Sequence, residues 1–132
     1  MGEPTVKRVI SFAVAFATVF AVLLGGATAP ASAATTRPVT FDAFNIGDTV
    51  YVKGHVGPNN TYKFKKVIIQ KRKCADGSCK WVFYKDGKTN GKSNYRLRVF
   101  VPQRGKVTYR TKVPASGGYA TSYSGAHTLS WQ

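Results

Sequence analysis

The chain has 132 residues, 20 Lys and Arg against five acids, a formal charge of +15 and two cysteines. That length holds one modest domain and excludes a multidomain machine. So few acids, with two histidines and two cysteines, leave little for general acid–base chemistry and too few ligands for a structural zinc site.

Read from the start, Lys7 and Arg8 precede an apolar run from Val9 to Leu24, which Gly25 and Gly26 break before Ala29-Pro30-Ala31-Ser32-Ala33. A cationic n-region, an apolar h-region and a small-residue cleavage site follow one another in the order of a secretory signal. The run of 16 residues falls short of the roughly 18 to 20 that cross a bilayer as a helix. The reading is a signal-peptide helix over residues 1–33, cleaved near Ala33. It implies a secreted protein that is not an integral membrane protein after cleavage. Lys7, Arg8 and Glu3 leave with the signal, so residues 34–132 keep 18 basic and four acidic side chains, a net +14. The charge therefore belongs to the domain and attracts polyanions.

Residues 34–47, with Arg37 and Pro38 and no clear period, read as a short leader. The domain proper is expected over 48–132. Short stretches rich in Val, Ile, Thr and Tyr alternate there with Gly, Pro and Asn clusters, the texture of β-structure, and no window carries an uninterrupted helical period. Residues 49–56 alternate, with Val50, Val52 and Val56 on one side and Tyr51, Lys53 and His55 on the other. After the turn Gly57-Pro58-Asn59-Asn60, residues 62–72 form a second strand and 80–85 a third. Asp86-Gly87 and Asn90-Gly91 read as turns. Residues 95–101 set Tyr95, Leu97, Val99 and Val101 against Arg96, Arg98 and Phe100. Residues 106–113 set Val107, Tyr109, Thr111 and Val113 against Thr108, Arg110 and Lys112. Residues 121–124 and 128–131 are weaker strands at an edge. Six or seven short strands without a helix predict an all-β, two-sheet antiparallel sandwich, with a small barrel as the alternative.

Cys74 and Cys79 flank the turn-forming Ala75-Asp76-Gly77-Ser78, and export would place them in an oxidising compartment. A disulfide that pins a hairpin tip is the expectation.

The run Tyr51-Val52-Lys53-Gly54-His55-Val56-Gly57-Pro58 resembles the opening of bacterial Ig-like, fibronectin-like modules common in secreted actinobacterial proteins. Val67-Ile68-Ile69-Gln70-Lys71-Arg72, Lys80-Trp81, and Gly91 through Tyr95-Arg96-Leu97-Arg98-Val99 are similar to later stretches of such modules. So are Gly105, Tyr109-Arg110, Val113-Pro114-Ala115-Ser116 and Gly118-Tyr119. The resemblance spans about residues 49–124 and departs from the pattern at the cysteine tip and at Thr89-Asn90. It implies an Ig-like β-sandwich serving as an accessory, spacer or adhesion module, and it implies no particular ligand.

Catalytic patterns are absent. The acids of residues 34–132 are Asp42, Asp48, Asp76 and Asp86, and the last three read as turn residues that bond their own backbone. His55 and His127 read as solvated side chains without a partner pattern, and no nucleophile elbow or phosphate loop is present. The expectation is a non-enzyme that needs no cofactor or metal and takes no small-molecule substrate.

The feature above background is positive charge among aromatics. Lys63, Lys65, Lys66, Lys71, Arg72, Lys73 and Lys80 fall on two strands around the cysteine tip, interleaved with Tyr62, Phe64, Trp81, Phe83 and Tyr84. Arg96, Arg98, Arg110 and Lys112 would add a single basic stripe if their strands are neighbours. Two functions follow for what is read as a monomer. One is binding to an anionic polymer or cell-envelope surface through Lys63, Lys65, Lys71, Arg72, Lys73, Lys80, Trp81, Arg96, Arg98, Arg110 and Lys112. The other is a protein partner, engaged as an inhibitor would be by the Cys74–Cys79 loop. A basic surface that only keeps the domain dispersed is the third alternative.

Overall fold

The structure, a computed structural model, describes residues 9–13 and 35–132. The described chain is all strand and loop, and none of it forms a helix long and apolar enough to cross a membrane. The strands are β1 (Val9–Ala13), β2 (Asp42–Ile46), β3 (Thr49–His55), β4 (Lys66–Ala75), β5 (Ser78–Lys88), β6 (Asn94–Val99), β7 (Val107–Val113), β8 (Ser122–Tyr123) and β9 (His127–Trp131). They build two antiparallel sheets. The larger runs β1-β9-β7-β4-β5, with β8 beside the far end of β7, and the smaller runs β2-β3-β6.

The alternation read from the sequence sets the layers. Val50, Val52 and Val56 are buried in the smaller sheet and its margin, as are Tyr95 and Val99. Val67, Ile69, Val107, Tyr109, Val113 and Leu129 face them from the larger sheet. Thr111 is buried among them, and its hydroxyl donates to Tyr95 Oη at 2.8 Å. Tyr95 Oη in turn donates to Thr40 O at 2.5 Å, so this polar contact across the core is satisfied at each atom.

Four expectations change. The segment read as a leader joins the sandwich: Phe41 is in the core and β2 pairs residue for residue with β3. β2 is an edge strand whose apolar contribution to the core is Ala43, with Asn45 on the same side opposite Val50, so it carries little hydrophobic period. Arg37, only 4% exposed, ties the approach to β2 in place. Its guanidinium sits between the rings of Tyr62 (5.0 Å) and Tyr119 (4.0 Å), and Nη1 donates to Gly57 O and Thr61 Oγ1.

The second change is at residues 62–65, which lie ahead of β4. Phe64 takes a left-handed φ of 53° and Tyr62 N donates to Ser93 Oγ, so the ladder starts only at Lys66. The third is Asp86-Gly87, read as a turn but continuous with β5, opposite Ile68 and Val67. A Cβ at position 87 would run into the Leu97 side chain, so this glycine serves close approach of the two sheets. Reversal comes later, where Asn90 Oδ1 accepts from Lys92 N and Asn94 N.

The fourth concerns the signal helix. Val9–Ala13 form strand β1, antiparallel to β9 from Val9↔Trp131 to Ala13↔His127. Pairing with a sheet edge satisfies the backbone N–H and C=O groups as a helix would. The rest of the expected signal, and its cleavage site at Ala33, lie outside the described residues.

The tip follows the reading. Cys74 and Cys79 are cross-strand partners joined by a disulfide. The turn between them places Asp76 (φ 51°) and Gly77 (φ 78°) in the left-handed region, the two-residue geometry that Asp-Gly favours.

Candidate functional site

The outward side of the larger sheet is built by alternation and register. With Val67 and Ile69 turned into the core, Ile68, Gln70 and Arg72 of β4 face out. Gln70 stands opposite Phe83 of β5 and Arg110 of β7, Arg72 opposite Trp81, and Ile68 opposite Lys112, which is itself opposite Tyr123 of β8. The register shift between Ile69 and Gln70 sends Tyr84 inward, where it packs against Tyr109 at 5.0 Å. Trp81 and Phe83 are thereby left outside.

Arg110 is the centre of this face. Its guanidinium lies 4.4 Å from the Trp81 ring and 4.2 Å from the Tyr123 ring, and its Nε donates to Gln70 Oε1 at 2.8 Å. Burial lowers its pKa and Tyr123 partly offsets that; an arginine remains a cation throughout the neutral range. Among the described residues no acceptor takes its Nη groups, so a fixed fork remains for a carboxylate or phosphate. Phe83 (63%) and Tyr123 (45%) are exposed on the same side, as is Arg72. Its acid, Asp86, is 3.4 Å from Lys66 Nζ.

The outward side of the smaller sheet carries a second cluster. Phe44, Tyr51 and Arg98 form one cross-strand row and Asp42, Lys53 and Arg96 the next. The Phe44 and Tyr51 rings stack at 5.4 Å, Arg96 lies over them at 5.0 and 4.5 Å, and Lys53 lies 5.2 Å from Phe44. Beside the cluster is an open groove of about 600 Å³, bordered by Lys53, Arg96, Asn94, Lys88 and His55 among others.

The single stripe expected of Arg96, Arg98, Arg110 and Lys112 does not form. β6 and β7 belong to different sheets, so Arg96 and Arg98 look out on one side of the sandwich and Arg110 and Lys112 on the other. Nor do the lysines gather at the tip as read. Lys63 and Lys65 precede β4, at the end away from the cysteines, where Lys65 lies 5.6 Å from the Tyr62 ring. Lys71, Arg72, Lys73 and Lys80 do flank the tip, with Lys73 directly opposite Lys80. Residues 72–80 are exposed throughout, so this hairpin end projects as an arm, and an open cleft of about 440 Å³ runs between Lys71, Arg72 and Lys106 at its root.

The histidines are not simply solvated. His55 Nε2 donates to Asn59 O at 2.6 Å and Nδ1 lies 2.7 Å from Asn94 Oδ1. His127 is partly buried and stacks on Phe41 at 4.6 Å; burial lowers its pKa, and Asp42 works in the opposite direction. Among the described residues no group of three or more His, Cys, Asp and Glu comes together as a metal site would require. The four aspartates fall on β2, on two turns and on β5.

Gln70, Tyr123, Phe44, Tyr51 and Lys53 are site residues that the sequence did not single out as such. Tyr51 and Lys53 were legible as outward-facing. The others depend on which strands become neighbours. Compared with known proteins, the chain matches no protein-family model, no curated protein and no solved structure.

Proposed function

We propose that this protein is an exported, non-enzymatic module that binds anionic polymers of the cell envelope or the surrounding medium. In this reading residues 1–33 are removed as a signal peptide and the sandwich follows the bacterial Ig-like plan its strand motifs resemble. The observation that carries the proposal is the Arg110 guanidinium clamped between Trp81 and Tyr123 and bonded to Gln70. A side chain already held in place loses little conformational freedom on binding, which is the main cost of recruiting a free surface arginine. Arg72 and Lys112 on the same face, and a net +14 over residues 34–132, draw the polymer in. The scattered aspartates favour a binding module over a hydrolase.

The test is a salt titration of binding to teichoic acid and to DNA. Affinity is expected to fall linearly on a log–log plot as salt rises, with a slope that becomes shallower by about one for each phosphate-contacting cation removed. Absence of binding at low salt, or indifference to salt, defeats the proposal.

A second reading is favoured by the exposed arm at residues 72–80. A disulfide-pinned hairpin of this kind can enter a groove on a protein partner. Such a partner would be captured stoichiometrically at salt concentrations that release polyanions.

A further inference from the structure

We propose that the protein holds two separate polyanion sites, one on each outer face, and that it bridges two polymer chains. The inference rests on the polyanion reading above and adds a valency to it. The second site is the Phe44–Tyr51 stack with Arg96 and Lys53 over it, bordered by the groove that contains Asn94 and Lys88.

Three observations support it. First, the two clusters share a construction. In each, a guanidinium packs on two aromatic rings within 4.2–5.0 Å, and a further cation stands near. Arginines that only solubilise a surface need no such arrangement. Second, the topology sets the clusters back to back. Packed sheets are about 10 Å apart, and each cluster stands outside its own sheet, so their charges are separated by more than the Debye length of about 8 Å at physiological salt. An anionic chain bound on one side therefore repels a second on the other side only weakly. Third, each face holds an acid that a neighbouring cation offsets. Asp86 pairs with Lys66 on one, and Asp42 stands opposite Lys53 on the other. Both faces remain net cationic.

Bridging follows from this geometry. A protein with one cationic face coats a polymer, whereas one with two opposed faces joins chains, and each added link raises the effective concentration for the next.

The experiment uses the full chain of 132 residues. Hexathymidylate, short enough to stay on one face, is titrated calorimetrically for stoichiometry. Long single-stranded DNA is then mixed with the protein and the formation of large assemblies is followed by light scattering. One variant alters the larger sheet (Arg72→Gln with Arg110→Gln) and one the smaller (Lys53→Gln with Arg96→Gln). A third, Lys92→Gln with Arg104→Gln, removes the same charge from two exposed positions in the connections between strands. Arg96 and Lys53 are exposed, so the smaller-sheet variant keeps the test alive should the loss of Arg110 impair folding.

The expected result is two hexathymidylates per protein, falling to one in either face variant and staying at two in the control. Scattering should drop at least tenfold in either face variant while binding persists. A stoichiometry of one for the unaltered protein, or undiminished scattering by the face variants, overturns the bridging inference and leaves polymer binding standing. No binding of either probe defeats the polymer reading as well.

Discussion

The two outer faces reach similar composition by different means. On the larger sheet, Arg110 is partly buried, covered by a ring on each side and fixed by Gln70. On the smaller sheet, Arg96 is exposed and rests over a pair of rings that stack on each other instead. The first is a fork held on a six-strand platform, ordered before any ligand arrives. The second is an exposed cation that rests over an aromatic base. The contrast teaches that a count of cations and aromatics misses what matters for binding, namely how much freedom each cation still has to lose.

The largest effect breaks the comparison outright by forcing the sheets apart. Gly87 of the larger sheet lies directly against Leu97 of the smaller one. Gly87→Leu has no space to fill, and overpacking of this kind costs about 3 kcal/mol or more when the obstacle is a packed side chain. In a domain of this size that should lower Tm by more than 10 °C, or abolish folding, as read by circular dichroism. A small shift would mean that the two faces are not held by close sheet contact at that point.

A smaller effect compares the faces directly. Arg110→Ala removes a fixed fork and should weaken polyanion binding about tenfold, roughly 1.4 kcal/mol. Arg96→Ala removes a more exposed cation and should weaken it about threefold or less, in line with the modest worth of exposed charges. Trp81→Ala separates orientation from charge. It leaves the net charge untouched yet should reproduce much of the Arg110→Ala loss, because the guanidinium is freed. Equal losses for Arg110→Ala and Arg96→Ala, measured at one salt concentration, would show that bulk charge alone governs binding.

How much of this could be seen beforehand varies by residue for physical reasons. Strict alternation placed Val50, Val52, Tyr109 and Val113 in the core, because period two is a local property of a strand. The Asp-Gly turn and the cysteine staple were local too. The site was not. Arg110 was read as outward-facing, but its clamp depends on Trp81, 29 positions earlier, and on Tyr123, which meet it only through the β5-β4-β7-β8 order. The same non-local fact split the expected stripe, since strands consecutive in sequence, β6 and β7, went to different sheets. β2 was missed because an edge strand whose apolar contribution to the core is one small side chain leaves almost no hydrophobic period. Asp86-Gly87 misled because glycine marks close approach as well as turns.

The smallest effect tests how the smaller sheet's edge is coupled to the larger. His127 of β9 stacks on Phe41, just ahead of β2, stands opposite Tyr109 and feels Asp42. Burial lowers its pKa in the folded protein and the Asp42 carboxylate opposes that shift. The unfolded chain, with an ordinary histidine near pH 6.5, therefore takes up a proton that the native state resists. Stability from this group is fully present above the unfolded value of about 6.5 and is lost progressively as pH falls from there through the lower folded pKa. Tm should decline by a few degrees between pH 7.5 and 5.5. His127→Phe keeps the stack and should flatten the decline, whereas Asp42→Asn removes the opposing charge and should steepen it. The two variants act on the same imidazole from opposite directions. A profile that neither alters would place the pH dependence in the general repulsion among 18 cations and away from this contact between the sheets.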